Sequence, residues 1–296
     1  MLNPLQEVIA ADLLGLALNL LLSGITWCQF LDYFQTNSDN IVYRCVAAFV
    51  FLVGSAHTVF AAHFAWILSI SALADPSLYA KIPWSLPTSQ FITTCVAAAV
   101  QATYAHRIWL ISKKSWWLPA LILTLTVAAF GFNTAVLYWT VRCDTWACLA
   151  RTQWSVGAWL GSLTAADVVI TSSLIFYLRR TRSAFTETNT IIDRIIRLAV
   201  QNNALTSTAA LLSAILFACD SQWNAVFGQA LIKLYMIAFF STLNSRRTHF
   251  DKATGATSQR HYRPQSGGSP RPEASIEADV SSVIPLLAPP GLTMSL

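Results

Sequence analysis

Apolar residues in this chain neither alternate with polar ones nor return at every third or fourth position. They continue unbroken through seven stretches, at about residues 8–30, 45–70, 86–111, 117–140, 154–177, 198–218 and 223–243. Each has about the 20 residues that let a helix cross roughly 30 Å of hydrocarbon. Unbroken runs of this kind predict helices rather than a membrane barrel, whose strands read as short segments of alternating letters. The expected fold is therefore all-α: a polytopic seven-transmembrane-helix bundle occupying residues 1–247. After Arg247 the pattern gives way to a stretch rich in Ser, Pro, Gly and Ala. Such a segment has too little apolar surface to offset the entropy of ordering it, so residues 248–296 are expected to form a disordered cytosolic tail.

Composition strengthens the membrane reading. The 296 residues are 55% hydrophobic and 11% charged, with a mean hydropathy of +0.51, whereas soluble domains carry about 25% charged residues. Trp84, Trp116, Trp117, Trp139, Trp154 and Trp223 fall at the ends of the stretches, as an interfacial aromatic belt requires. Basic residues beside the spans are divided unequally. The side holding the N-terminus has Lys81, Arg142 and Arg151, and the other side has twelve, from Arg44 and Arg107 to Arg247 and Lys252. By the positive-inside rule the N-terminus lies outside the cytosol and the C-terminus inside. The net charge of +5 is then juxtamembrane bias facing a lipid bilayer, with no nucleic-acid partner called for. MLNPLQE has no basic n-region, so the first span serves as its own targeting signal in a multi-pass protein assigned to the plasma membrane.

Polar residues inside the spans are the candidate chemistry, because ionisable groups there cost about 2.5–3.5 kcal/mol on insertion scales and tend to mark function. Lys233 shares a helical stripe with Gln229, Ile237, Ser241 and Asn244, so one face of span seven must look into the bundle. Span one aligns Asp12, Gly15, Asn19 and Ser23, and a ring of helices in sequence order makes Asp12 a partner to consider for Lys233. His57 lies in span two with Gly54 and Ala61 on its face, where small residues allow close helix approach. Asp167 sits in span five between Thr164 and Thr171; span three adds Gln90, Thr94, Gln101 and Tyr104, and span six adds Gln201, Asn202, Asn203 and Ser207. The candidate intramembrane site is Lys233, Asp167, His57, Asp12 and Gln229, weighed against the alternative that such groups only bond helices together. Lys233 is tolerated either because carbonyls or a carboxylate satisfy it or because it stays neutral.

Cys143 and Cys148, in RCDTWAC on the non-cytosolic side, form a candidate disulfide with Cys219 as a competing partner. The zinc-protease motif, the nucleophile elbow, the P-loop and the dinucleotide fingerprint are all missing, and His57, His63 and His106 do not share a helical face. No enzyme activity, metal or cofactor is expected.

PWSLP before span three, Gln101, Tyr104, RIW at 107–109, Trp116 and Trp117, AADVVI at 165–170, LRRTRSAFTETNTIIDRIIR and the closing KLY with STLNSR resemble a family of basidiomycete fungal seven-helix membrane proteins catalogued as a domain of unknown function. The resemblance covers roughly residues 10–247 and is most specific in spans five to seven. It implies the seven-helix fold with its N-terminus out, and no established activity. GSAHTVF lacks the acidic residue that the family tends to place before the span-two histidine. QNNALTS replaces its Asn-Thr-Gly element, and Met236 to Ala238 replace its Asn-Ser, whereas Lys233 and Asp167 match.

A receptor-like sensor, with a small-molecule ligand outside and a cytosolic signalling partner, is the leading expectation. Arg107 stands where rhodopsin-like receptors carry a switch arginine, though this is architectural analogy. An ion- or proton-coupled transporter built on Lys233, His57 and Asp167 is the alternative. A retinal-binding pigment on Lys233 is more remote, since span three offers no carboxylate counter-ion.

Overall fold

Many large apolar side chains face outward in this protein, while several ionisable and polar ones are buried. Leu21, Leu52, Val59, Val127 and Phe176 are exposed, and Asp12, His57, Gln101, Asp167 and Lys233 are buried. That inversion is what a hydrocarbon solvent selects, because lipid accepts aliphatic surface and the interior must satisfy the polar groups. The computed structural model describes residues 4–36, 39–112, 114–143, 145, 153–180, 186–219 and 221–261.

Seven long helices make up the described residues: α1 (Pro4–Thr36), α2 (Ile41–Trp66), α3 (Ser85–Ile111), α4 (Trp117–Cys143), α5 (Gln153–Arg180), α6 (Thr186–Ala218) and α7 (Asn224–His261). A π-helical turn, Ile67–Ser71, and a short helical turn, Ala72–Ala74, prolong α2. Asp75 then caps the 3-10 turn Pro76–Ala80 by accepting from Ser77 N at 3.0 Å, and this bonding with Ser77 holds the exposed Asp75 carboxyl below its ordinary value. No strand occurs among the described residues, only an isolated bridge between Lys81 and Thr145.

Among the described residues, five helical segments are long and apolar enough to cross a membrane: Gln6–Thr36, Ile41–Ala74, Trp117–Arg142, Gln153–Arg180 and Asn224–Ser245. The expected third and sixth spans lie on α3 and α6, which have the length, at 27 and 33 residues, but a more polar composition. For α3 the reason is its position. It packs against α2, α4, α5 and α7, so much of its surface meets protein instead of lipid, and Ser85, Ser89, Thr93, Thr94 and Gln101 are buried on it.

The helices pack in sequence order as a ring, each against the next, and α7 closes it by lying between α1 and α6. Gly15 makes that closure possible. A methyl group there would come within 3.2 Å of the Ala225 carbonyl oxygen and of Val226 Cα, so α1 and α7 approach backbone to backbone. α7 is correspondingly the best buried helix, with nearly every residue from Ala230 to Leu243 hidden. It remains helical to His261, past the expected start of the tail, and residues 262–296 lie outside the described residues.

Candidate functional site

The sequence offered five candidate residues as one site, and the structure distributes them between two hydrogen-bonded clusters. The first joins α1, α2 and α7. Gln229 Nε2 donates to Asp12 Oδ1 at 2.5 Å. Asn19 Nδ2 donates to the Gln229 carbonyl at 2.9 Å and lies 3.3 Å from His57 Nδ1, while Thr58 Oγ1 donates to Asn19 Oδ1 at 3.1 Å. These bonds fix the Asn19 amide, since turning it over would place its oxygen against the Gln229 carbonyl. The nitrogen must therefore donate to His57 Nδ1, and the neutral imidazole carries its hydrogen on Nε2.

One turn further along α7, Lys233 is 1% exposed and donates from Nζ to the Gly54 carbonyl at 2.7 Å. The missing side chain at Gly54 matters twice: the carbonyl is reachable, and a methyl group there would overlap the Met236 thioether. Lys233 bonds the Gly54 carbonyl and Asp12 bonds Gln229, so the Asp12–Lys233 pair considered from the sequence does not form.

The second cluster joins α3, α4, α5, α6 and α7 around Asp167. Its Oδ1 accepts from Gln101 Nε2 at 3.2 Å, and its Oδ2 accepts from Thr206 Oγ1 at 2.8 Å and Tyr235 Oη at 2.9 Å. Thr126 Oγ1 in turn donates to Gln101 Oε1 at 2.8 Å. Thr164 and Thr171, which share the Asp167 face in sequence, instead bond carbonyls of their own helix. Further along, Tyr104 Oη lies 2.8 Å from Thr242 Oγ1, and the Arg107 guanidinium sits 5.7 Å from the Tyr104 ring centre.

A cavity of about 310 Å³ lies beside the first cluster and not the second. Residues from α1, α2, α3, α5, α6 and α7 line it. They come from the starts of α1, α3, α5 and α7 and the later parts of α2 and α6, so the cavity occupies the end of the bundle that holds the chain's N-terminus. Asp12, His57 and Gln229 border it; Lys233 and Asp167 do not.

Sequence reasoning found the carboxylates and the lysine but missed Thr126, Thr206, Tyr235 and Trp159. Their types are common in membrane helices, and only the packing of helices distant in sequence singles them out. Tyr235, two residues after Lys233, faces α5 and not the Lys233 stripe. Among the six cysteines, Cys28, Cys45, Cys95 and Cys219 are free thiols. The candidate Cys143–Cys148 bridge lies outside what is described, because Cys148 and the Cys143 side chain are not among the described positions. No group of three or more metal-ligating side chains occurs among the described residues.

A family of unknown function (DUF6534) matches the chain over residues 163–248, which covers most of α5, all of α6 and the apolar part of α7. This is the region in which the sequence resemblance is most specific. No curated protein and no solved structure matches the chain.

Proposed function

We propose that this integral membrane protein is a receptor-like sensor, crossing the bilayer seven times with its N-terminus outside the cytosol, that admits a small molecule to the cavity at that end of the bundle. One observation carries this reading: the cavity at the N-terminal end of the bundle borders polar groups from six helices. Tyr235, Phe239 and Phe240 of α7 are each 2% exposed or less, and Asp167 is bonded by three donors. A ligand seated against Gln229 touches the first of a series of α7 bonds, through Lys233 to α2 and through Tyr235 to α5. A shift of α7 is therefore felt across the bundle, as a two-state sensor needs. The sequence resemblance to a fungal seven-helix family, most specific in the region that the family of unknown function matches, agrees with this architecture and is silent on activity.

Ion- or proton-coupled transport is the second reading, favoured by the burial of His57, which borders the cavity, and of Lys233, one helical turn beyond Gln229. The pigment reading is weaker, since the Lys233 ammonium bonds a carbonyl and not a carboxylate.

Proton and small-ion flux in proteoliposomes under an imposed gradient, compared between the wild type and Lys233→Met with both shown to be folded, separates the two. The sensor reading expects no flux from either protein. Flux in the wild type that disappears in Lys233→Met overturns it in favour of transport.

A further inference from the structure

The cavity's chemistry points to a ligand class, and the inference rests on the proposed reading of that cavity as a ligand site. Among the described residues, Asp12 is the only acidic one lining it, and no Lys or Arg lines it. The carboxyl is 2% exposed, and only its Oδ1 is bonded; Oδ2 is buried without a partner. Gln229 Oε1, on the side chain whose nitrogen holds Asp12, is likewise a buried acceptor without a partner.

Three hydroxyl groups of the lining add acceptors, beside the N–H donors of His57, Trp159, Gln90 and Gln222. Ser89, Thr93 and Ser213 direct their hydroxyl hydrogens to the carbonyls of Leu86, Ser89 and Asn224, which leaves oxygen lone pairs and no hydrogens for the cavity. One hydrogen of the Asn224 amide goes to the Ser221 carbonyl at 2.6 Å. The unpartnered oxygens of these two hydrogen-bonded side chains lack a donor and, among the described lining residues, a positive charge. A primary ammonium supplies both, with three N–H groups and one charge. Lys233 is turned to Gly54 and does not line the cavity.

The remaining lining is apolar where Val156, Leu160 and Phe217 stand, and Trp159 contributes an indole whose Nε1 has no partner. We infer that the cavity binds a small organic amine, with its ammonium on Asp12 Oδ2 and Gln229 Oε1 and its hydrocarbon body against Val156, Leu160 and Phe217. Leaving a buried acceptor pair unfilled is unfavourable, so the amine is recognised by what the empty site lacks.

The test uses the full chain in lipid nanodiscs with 2-phenylethylamine and n-hexylamine as probes and their neutral counterparts 2-phenylethanol and n-hexanol as controls. Binding is read as a saturable rise in the thermal unfolding midpoint. Ser89→Cys, labelled by a membrane-impermeant thiol reagent above the wild-type background, reports separately whether the cavity is open to water. The expected result is a rise with the amines, none with the alcohols, and at least tenfold weaker amine binding in Asp12→Asn, with binding kept in Asp12→Glu. Equal binding of amines and alcohols, or amine binding unchanged in Asp12→Asn, overturns the amine assignment. So does an absence of amine binding in a protein whose Ser89→Cys variant is labelled, and the site reading then survives. If that variant also resists labelling, the cavity reading fails together with the ligand class.

Discussion

Asp12 and Asp167 are hidden to nearly the same degree, 2% and 1% exposed, yet they do different things. Both oxygens of Asp167 face donors of the protein, from α3, α6 and α7. Asp12 has one donor, one unpartnered oxygen and a cavity beside it. Burial of a carboxylate in a membrane helix therefore does not by itself identify a working site. What separates a structural carboxylate from a binding one is whether its lone pairs are already used by the protein.

Making the same substitution at both places tests this contrast most directly. Asp167→Asn puts an amide NH₂ among side chains that already donate, so it is expected to lower stability by about 2–3 kcal/mol, as buried donors lose their acceptor. The loss is measurable by denaturant unfolding in nanodiscs. An unfolding midpoint equal to the wild type's would remove Asp167 from its structural role.

Gly15→Ala probes the seam beside Asp12. The added methyl meets backbone atoms of α7 at 3.2 Å, and neither helix yields easily, so a loss of about 1–2 kcal/mol is expected, as for other overpacked interfaces. Gly54→Ala, whose methyl meets only the flexible end of Met236, is expected to lose less in the same assay.

Tyr235→Phe removes one of the three donors to Asp167 and keeps the ring, with an expected loss of about 1 kcal/mol. The Asp167→Asn, Tyr235→Phe double mutant should lose less than the sum of the two, since both act on one bond; a double-mutant cycle reads the coupling.

Asp12→Asn is expected to have the smallest effect on stability, within about 0.5 kcal/mol of the wild type, because the amide oxygen keeps the Gln229 bond and no other partner depends on Oδ2. A loss as large as that of Asp167→Asn would show that both carboxylates are structural and would end the comparison.

Much of the fold was legible because the bilayer imposes a simple length rule. Each of the seven apolar stretches lies on a long helix, and their starts agree closely except in α6, which begins at Thr186, ahead of the expected 198. Hydropathy cannot register that extension, because helix geometry continues into polar sequence such as TETNTIIDRIIR, where no apolar run marks it. The site was half legible. Lys233, Asp167, His57, Asp12 and Gln229 stand out as expensive letters in an apolar text, and the stripe spacing correctly puts Gln229 and Lys233 on one face of α7. Their partners were not legible: Thr206 is one of several threonines and serines in α6, and nothing local distinguishes it from Thr208.

By itself, the sequence determined that this chain is helical and lipid-facing, which of its residues are too polar for hydrocarbon, and therefore which helix faces turn inward. These follow from the transfer free energy of each side chain and the period of the helix, and both are local. Only the tertiary structure decided that Lys233 bonds the Gly54 carbonyl and not Asp12, that both oxygens of Asp167 face donors of the protein, and that Asp12 keeps an oxygen free beside a cavity. Those outcomes depend on contacts between residues up to 217 positions apart. A hydrogen bond requires atoms to meet within about 3 Å, and that meeting is set by how whole helices pack.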